Sequence, residues 1–203
     1  MMKTGNTTYK AAFRIALATG FLLLLPLLAM QFTNEVVWDL ADFIVAGVLL
    51  FGTGLTYKLA ARKARKTGNT AYKSAVGLAL AAAFILIWVN GAVGIIGSEN
   101  NDANLMYGGA LAIGIIGAII VRFQPHGMAR AMFATALAQM LVPVIALIIW
   151  PPQVISWGAA GVFGVFVLNA FFVMLWVGSA LLFRNAARNN LPRKYQSIRK
   201  IKL

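Results

Sequence analysis

Two groups of side chains in the sequence have the types and spacing to do chemistry. The first is acidic. Glu35, Asp39 and Asp42 stand at i, i+4 and i+7 with Trp38 between them, so a helix that began early would bring the three carboxylates onto one face, where they could gather a cation or dock a basic partner. Glu99 and Asp102 belong to a second polar stretch, Ser98-Glu99-Asn100-Asn101-Asp102-Ala103-Asn104, and the two stretches placed side by side would make one acidic cluster. A plainer role competes with ligand binding. Acids at a helix N-terminus satisfy free N–H groups and the positive end of the dipole, with Asp39 as the cap and Asp42 as the third helical residue. Asn101 or Asp102 would cap the later helix in the same way. The second group is neutral: Asn90, Gln139 and Asn169, each inside an apolar stretch. Amides in such places usually bond across helices, and the alternative is that they line a path through the protein.

The rest of the inventory excludes more than it offers. There is no cysteine and one histidine, His126, so thiolate metal sites, disulfides, iron–sulfur clusters and bis-histidine haem ligation are ruled out. No Ser-His-Asp or Cys-His set can be assembled, and neither a Walker pattern nor a dinucleotide glycine fingerprint opens a strand–helix unit. No lysine lies within an apolar stretch, which leaves a retinal Schiff base without an attachment point. A carboxylate pair could serve acid–base catalysis, but only spacing supports it. The expectation is a protein without a cofactor, a confident metal site or an enzymatic activity.

The elements that must position these groups are membrane helices. Hydrophobic residues make up 61% of the chain and charged residues 11%, against roughly 25% charged in a soluble domain. A helix needs about 20 apolar residues to cross the hydrocarbon core. Uncharged runs read on that basis give spans at roughly 11–31, 40–60, 74–97, 103–122, 130–150 and 158–183, the last two separated at Trp150-Pro151-Pro152-Gln153 because paired prolines break a helix. Lys3, Lys10 and Arg14 before the first run could also head a secretory signal. The region around Leu28-Ala29-Met30-Gln31 lacks a small-x-small cleavage site, so that span is expected to be retained.

The charges orient the spans. All eighteen Lys and Arg fall in the segments on one side of this arrangement and all five Asp and Glu on the other. That bias predicts both termini in the cytoplasm, with the basic residues against anionic lipid headgroups rather than nucleic acid. Pro26 and Pro143 are expected kinks.

The chain also repeats itself. Thr4-Gly5-Asn6-Thr7 with Tyr9-Lys10-x-Ala12 recurs 63 residues on as Thr67-Gly68-Asn69-Thr70 with Tyr72-Lys73-x-Ala75, and Ala16-Leu17-Ala18 returns as Ala79-Leu80-Ala81 and Ala136-Leu137-Ala138. Gly52-Thr53-Gly54 with Tyr57-Lys58-x-Ala60-Ala61-Arg62 matches Gly178-Ser179-Ala180 with Phe183-Arg184-x-Ala186-Ala187-Arg188. Gly109 and Gly114 align more weakly with Gly47 and Gly52. The reading is an all-α integral membrane protein: one transmembrane domain, 1–203, built of three parallel-repeat hairpins (4–62, 67–122, 127–188) in a pseudo-threefold arrangement, with a basic tail at 189–203.

The stretch Leu25–Tyr57, with its Ala29-Met30-Gln31-Phe32-Thr33-Asn34-Glu35-Val36-Val37-Trp38 segment, resembles that of small uncharacterised bacterial inner-membrane proteins of this length. The resemblance implies a multi-pass protein of the bacterial inner membrane and carries no activity. Function is expected to be association, as a homo-oligomer or as an accessory subunit of a membrane complex. The alternative is a small channel or transporter with an amide-lined path beneath an acidic outer mouth.

Overall fold

The computed structural model of the protein describes residues 3–33, 37–67 and 69–189, the side chains of 3–8 and 63–67 excepted. Six helices account for most of them: α1 (Lys3–Phe32), α2 (Leu40–Thr67), α3 (Thr70–Ala92), α4 (Leu105–Ile120), α5 (Pro125–Ile149) and α6 (Gly161–Asn189), with one 3-10 turn, Asp102–Asn104, leading into α4. No strand occurs among the described residues. Each of the six, α4 together with its leading turn, is long and apolar enough to cross a membrane.

Local chemistry sets the helix ends. Asp39 precedes α2, and Asn69 precedes α3 in extended conformation with its side chain accepting from the Tyr72 N–H, the bond that defines an N-cap. Pro125 occupies the first turn of α5, where a missing N–H costs nothing. This moves the start of α5 several residues before the uncharged run. At the other end of α3 the apolar pattern continues toward residue 97, yet the helix stops at Ala92, because Gly94 and Gly97 take φ values of +71° and +79° that only glycine adopts without strain. Lys and Arg propagate a helix nearly as well as Ala, so α2 and α6 run on past their apolar spans to Thr67 and Asn189.

The chain divides into two compact units, 1–63 and 64–203. In the first, α1 and α2 approach antiparallel. A Cβ on Gly54 would lie 2.8 Å from Ile15 Cγ2, and one on Gly47 would lie 3.5 Å from Leu23 Cδ1. Thr19 and Ala46 are buried, and most of the remaining surface of both helices is exposed and apolar.

In the second unit, α6 packs along both α3 and α5, and α5 packs in turn along α4. Helices α3 and α4 are consecutive but touch little, so the packing order is α3–α6–α5–α4. Within lipid, association depends on close approach of small residues rather than on hydrophobicity. Glycines mark the contacts: a Cβ on Gly178 would stand 3.2 Å from Leu78, and one on Gly114 would stand 2.8 Å from Thr135 Oγ1. Ala75, Ala82, Ala146, Ala180 and Ala186 are wholly enclosed. The volume between them is filled by Phe172 and Phe183, and Tyr72 meets the Phe183 ring edge-on at 5.4 Å.

Candidate functional site

The acidic group of the first unit is held by its own helix. Asp39 N–H donates to Asp42 Oδ2 and Asp42 N–H donates to Asp39 Oδ1, both at 2.9 Å. That reciprocal pair is a capping box with aspartate at both ends, and it answers two of the four free donors at the start of α2. Trp38 stacks edge-on against Phe43 one turn further along. Glu35, the remaining member of the predicted trio, lies outside the described residues. In the second unit Glu99 accepts from the Asn100 side chain and Asp102 opens the 3-10 turn. Asn101 caps that turn through the Ala103 N–H. Among the described residues no group of three or more His, Cys, Asp or Glu is placed to hold a metal ion.

The organising residue of that turn is its third member. Asn104 is 3% exposed. Its Oδ1 accepts from the Ile95 and Ile96 N–H groups, and its Nδ2 donates to the Ile96 and Ser98 carbonyls. One amide thereby answers four backbone groups of Ile95, Ile96 and Ser98 in the irregular part of the α3–α4 connection. Asn90 joins the same assembly by donating to the Asn104 carbonyl, while its Oδ1 has no partner in the protein. The connection then abuts the α5–α6 turn: a side chain on Gly97 would run into the Ser156 carbonyl. In that turn Trp157 donates its indole N–H to the Trp150 carbonyl.

Deeper in the second unit the other two predicted amides meet. Gln139 Nε2 donates to Asn169 Oδ1 at 2.9 Å, and Asn169 Nδ2 donates at 2.8 Å to the Tyr107 hydroxyl and also to the Val165 carbonyl. Helices α4, α5 and α6 are thus joined at one polar node, with Gln139, Asn169 and Tyr107 each at most 2% exposed. Thr135, one turn from Gln139 and fully buried, bonds back to the Ala131 carbonyl. Two polar atoms here lack protein partners: Gln139 Oε1 and Trp176 Nε1.

At the basic end of the unit, α3 and α6 are fastened by side chains from the repeated motifs. Asn69, besides capping α3, donates Nδ2 to the Ala186 carbonyl at 2.8 Å. Ser179 Oγ donates to the Ala75 carbonyl, and Tyr72 donates its hydroxyl proton to the Phe123 carbonyl in the α4–α5 turn. His126 in that turn is exposed.

Of the predicted residues, then, Gln139 and Asn169 are brought together, Asn90 is held separately by Asn104, and Asp39 and Asp42 cap α2. Sequence reasoning passed over Asn104, Tyr107, Asn69 and Ser179. Asn69 and Ser179 were visible as the polar positions of the repeats. Tyr107 is legible only as a polar-tipped residue on the same helical face as the small residues Ala110, Gly114 and Ala118. No family model, curated protein or solved structure matches the chain.

Proposed function

We propose that the protein is a non-catalytic, multi-pass protein of the bacterial inner membrane, with both termini in the cytoplasm, that acts by association: as an oligomer or as an accessory subunit of a membrane complex. The observation that carries this reading is the Gln139–Asn169–Tyr107 node. Gln139 Nε2, Asn169 and the Tyr107 hydroxyl, groups that a transporter would turn toward a path, bond one another across α4, α5 and α6 at 2% exposure or less, which supports this reading.

The repeats support an assembly built from one kind of helix pair. Ile15, Leu78 and Thr135 occupy equivalent places before the three Ala-Leu-Ala matches, and each lies against a glycine of an antiparallel partner: Gly54, Gly178 and Gly114. The partners are α2, α6 and α4. Through these glycines α1 meets α2, α3 meets α6 and α5 meets α4, while α5 also keeps its contact with α6, the returning helix of its own hairpin.

The chain has no cysteine, so a single one can be introduced without background. Phe13→Cys and Phe21→Cys sit on exposed positions of α1. Oxidative cross-linking in native membranes is expected to trap a homodimer or a discrete larger adduct, with a matching mass for the purified particle in mild detergent. A monomer that cross-links to nothing, from these positions and from others spaced around α1 and α2, would sink the association reading. The alternative, a small channel or transporter with an amide-lined path and acidic outer mouth, requires solute flux in proteoliposomes that falls with Gln139→Leu.

A further inference from the structure

Two unpartnered atoms of opposite kind lie inside the second unit. Gln139 Oε1 is an acceptor on a residue that is 0% exposed, and Trp176 Nε1 is a donor on a residue that is 3% exposed. Lipid offers neither of them a partner, and buried polar groups in proteins are almost always bonded. Their placement is related. Trp176 follows Asn169 by seven residues on α6, which returns it to within about 20° of the same face and about 10 Å further along the helix. Asn169 on that face bonds Gln139.

Around Gln139 several acceptors stand open, and the Tyr107 hydroxyl, which accepts from Asn169, keeps its own proton to give. Pro143, inside α5 and fully buried, has no N–H to give the Gln139 backbone carbonyl four residues before it. Thr135, one turn away on the same face, has given its proton to the Ala131 carbonyl, so its oxygen is left able to accept. Every side chain named here is neutral.

We propose that the interior of this unit holds ordered water, one molecule donating to Gln139 Oε1 and one accepting from Trp176 Nε1. A cation would satisfy Gln139 but not Trp176, and it would meet no carboxylate. An anion would satisfy Trp176 but not Gln139. Water both donates and accepts, and it makes two to four bonds to groups such as Thr135 Oγ1 and the freed Gln139 carbonyl. This inference is independent of the association reading, because internal water fixes the packing of α5 and α6 whether or not a partner binds outside.

Radiolytic hydroxyl-radical labelling of the full chain in lipid nanodiscs tests it, because internal water generates the radical beside the residues it touches. After correction for intrinsic reactivity, Trp176 and Tyr107, at 3% and 1% exposure, are expected to label several-fold faster than Phe172 and Phe183, both at 0%. Equal rates would overturn the proposal. Trp176→Phe provides a second reading in the same nanodiscs. With water on Nε1 the thermal midpoint stays level or falls, whereas a rise in midpoint would mean that a dry, unbonded donor had been removed, and the proposal would fail.

Discussion

Replacing Asn104 by alanine removes four hydrogen bonds at once, of 3.1 and 2.9 Å to the Ile95 and Ile96 N–H groups and of 3.2 and 2.6 Å to the Ile96 and Ser98 carbonyls. At about 1 kcal/mol net for each, the loss is roughly 4 kcal/mol. Two corrections oppose one another. Ile95 and Ile96 are 5% and 0% exposed, so their N–H groups are left without water, which raises the cost. Ser98 is exposed, and its carbonyl turns to solvent, which lowers it. The expected destabilisation is therefore roughly 3–4 kcal/mol.

Asn104→Asp separates the bonds. The carboxylate keeps both acceptances from Ile95 and Ile96 but places an oxygen against the Ile96 and Ser98 carbonyls, so at least half of the alanine effect should persist. Denaturant titration in mixed micelles, followed through the fluorescence of Trp157 and Trp150 in the adjoining turn, reads both variants. An Asn104→Ala protein within about 1 kcal/mol of wild type would refute the reasoning, since one bond alone is worth that much. So would an Asn104→Asp protein indistinguishable from wild type.

Asp39→Ala should cost about 1 kcal/mol as the loss of an N-cap, and divalent cations should leave the thermal midpoint of wild type unmoved; a calcium-dependent rise abolished by Asp42→Asn would show a ligand site where a cap is read. Gly114→Ala brings a Cβ to 2.8 Å from Thr135 Oγ1 and should lower stability, whereas Gly108→Ala, with nothing within 4 Å, should be silent in the same assay. Equal behaviour of the two would remove close approach as the basis of α4–α5 packing. Reporters at the C-terminus and near Asn100 should report opposite sides of the membrane, the first cytoplasmic; the same side for both would overturn the orientation drawn from the charges.

The existence of six spans was legible because lipid imposes one rule along the whole chain: long uncharged runs bounded by charge. Asp39 as the start of α2 was equally legible, since an N-cap is decided by residues three apart. Helix pairing was not. Nothing local in α3 says that it packs on α6 rather than on α4, because the glycine of Gly178 and that of Gly114 look alike in sequence and differ only in which neighbour they admit. The Thr-Gly-Asn-Thr match shows the same limit. Asn69 caps α3 and reaches Ala186, whereas residue 6 of the earlier copy lies inside α1, which already begins at Lys3. Asn104 was hidden for another reason: its partners are backbone groups of an irregular loop, and loop geometry leaves no periodic trace.

The bond from Asn69 to Ala186 joins residues 117 positions apart, and that separation bears on how the protein is made. At a synthesis rate of about 5–20 residues per second, roughly 6–23 s elapse between the appearance of Asn69 and that of its acceptor. During that interval α3 is in the membrane without α6, and Ala75 and Leu78 have not met Ser179 and Gly178. Helices α4 and α5 can pair as soon as both have emerged, but the α3 surface must wait for the last helix of the chain. Nascent chains arrested before residue 179 should therefore keep α3 within reach of the insertion machinery, and photo-cross-links from α3 to that machinery should vanish only once α6 has been released.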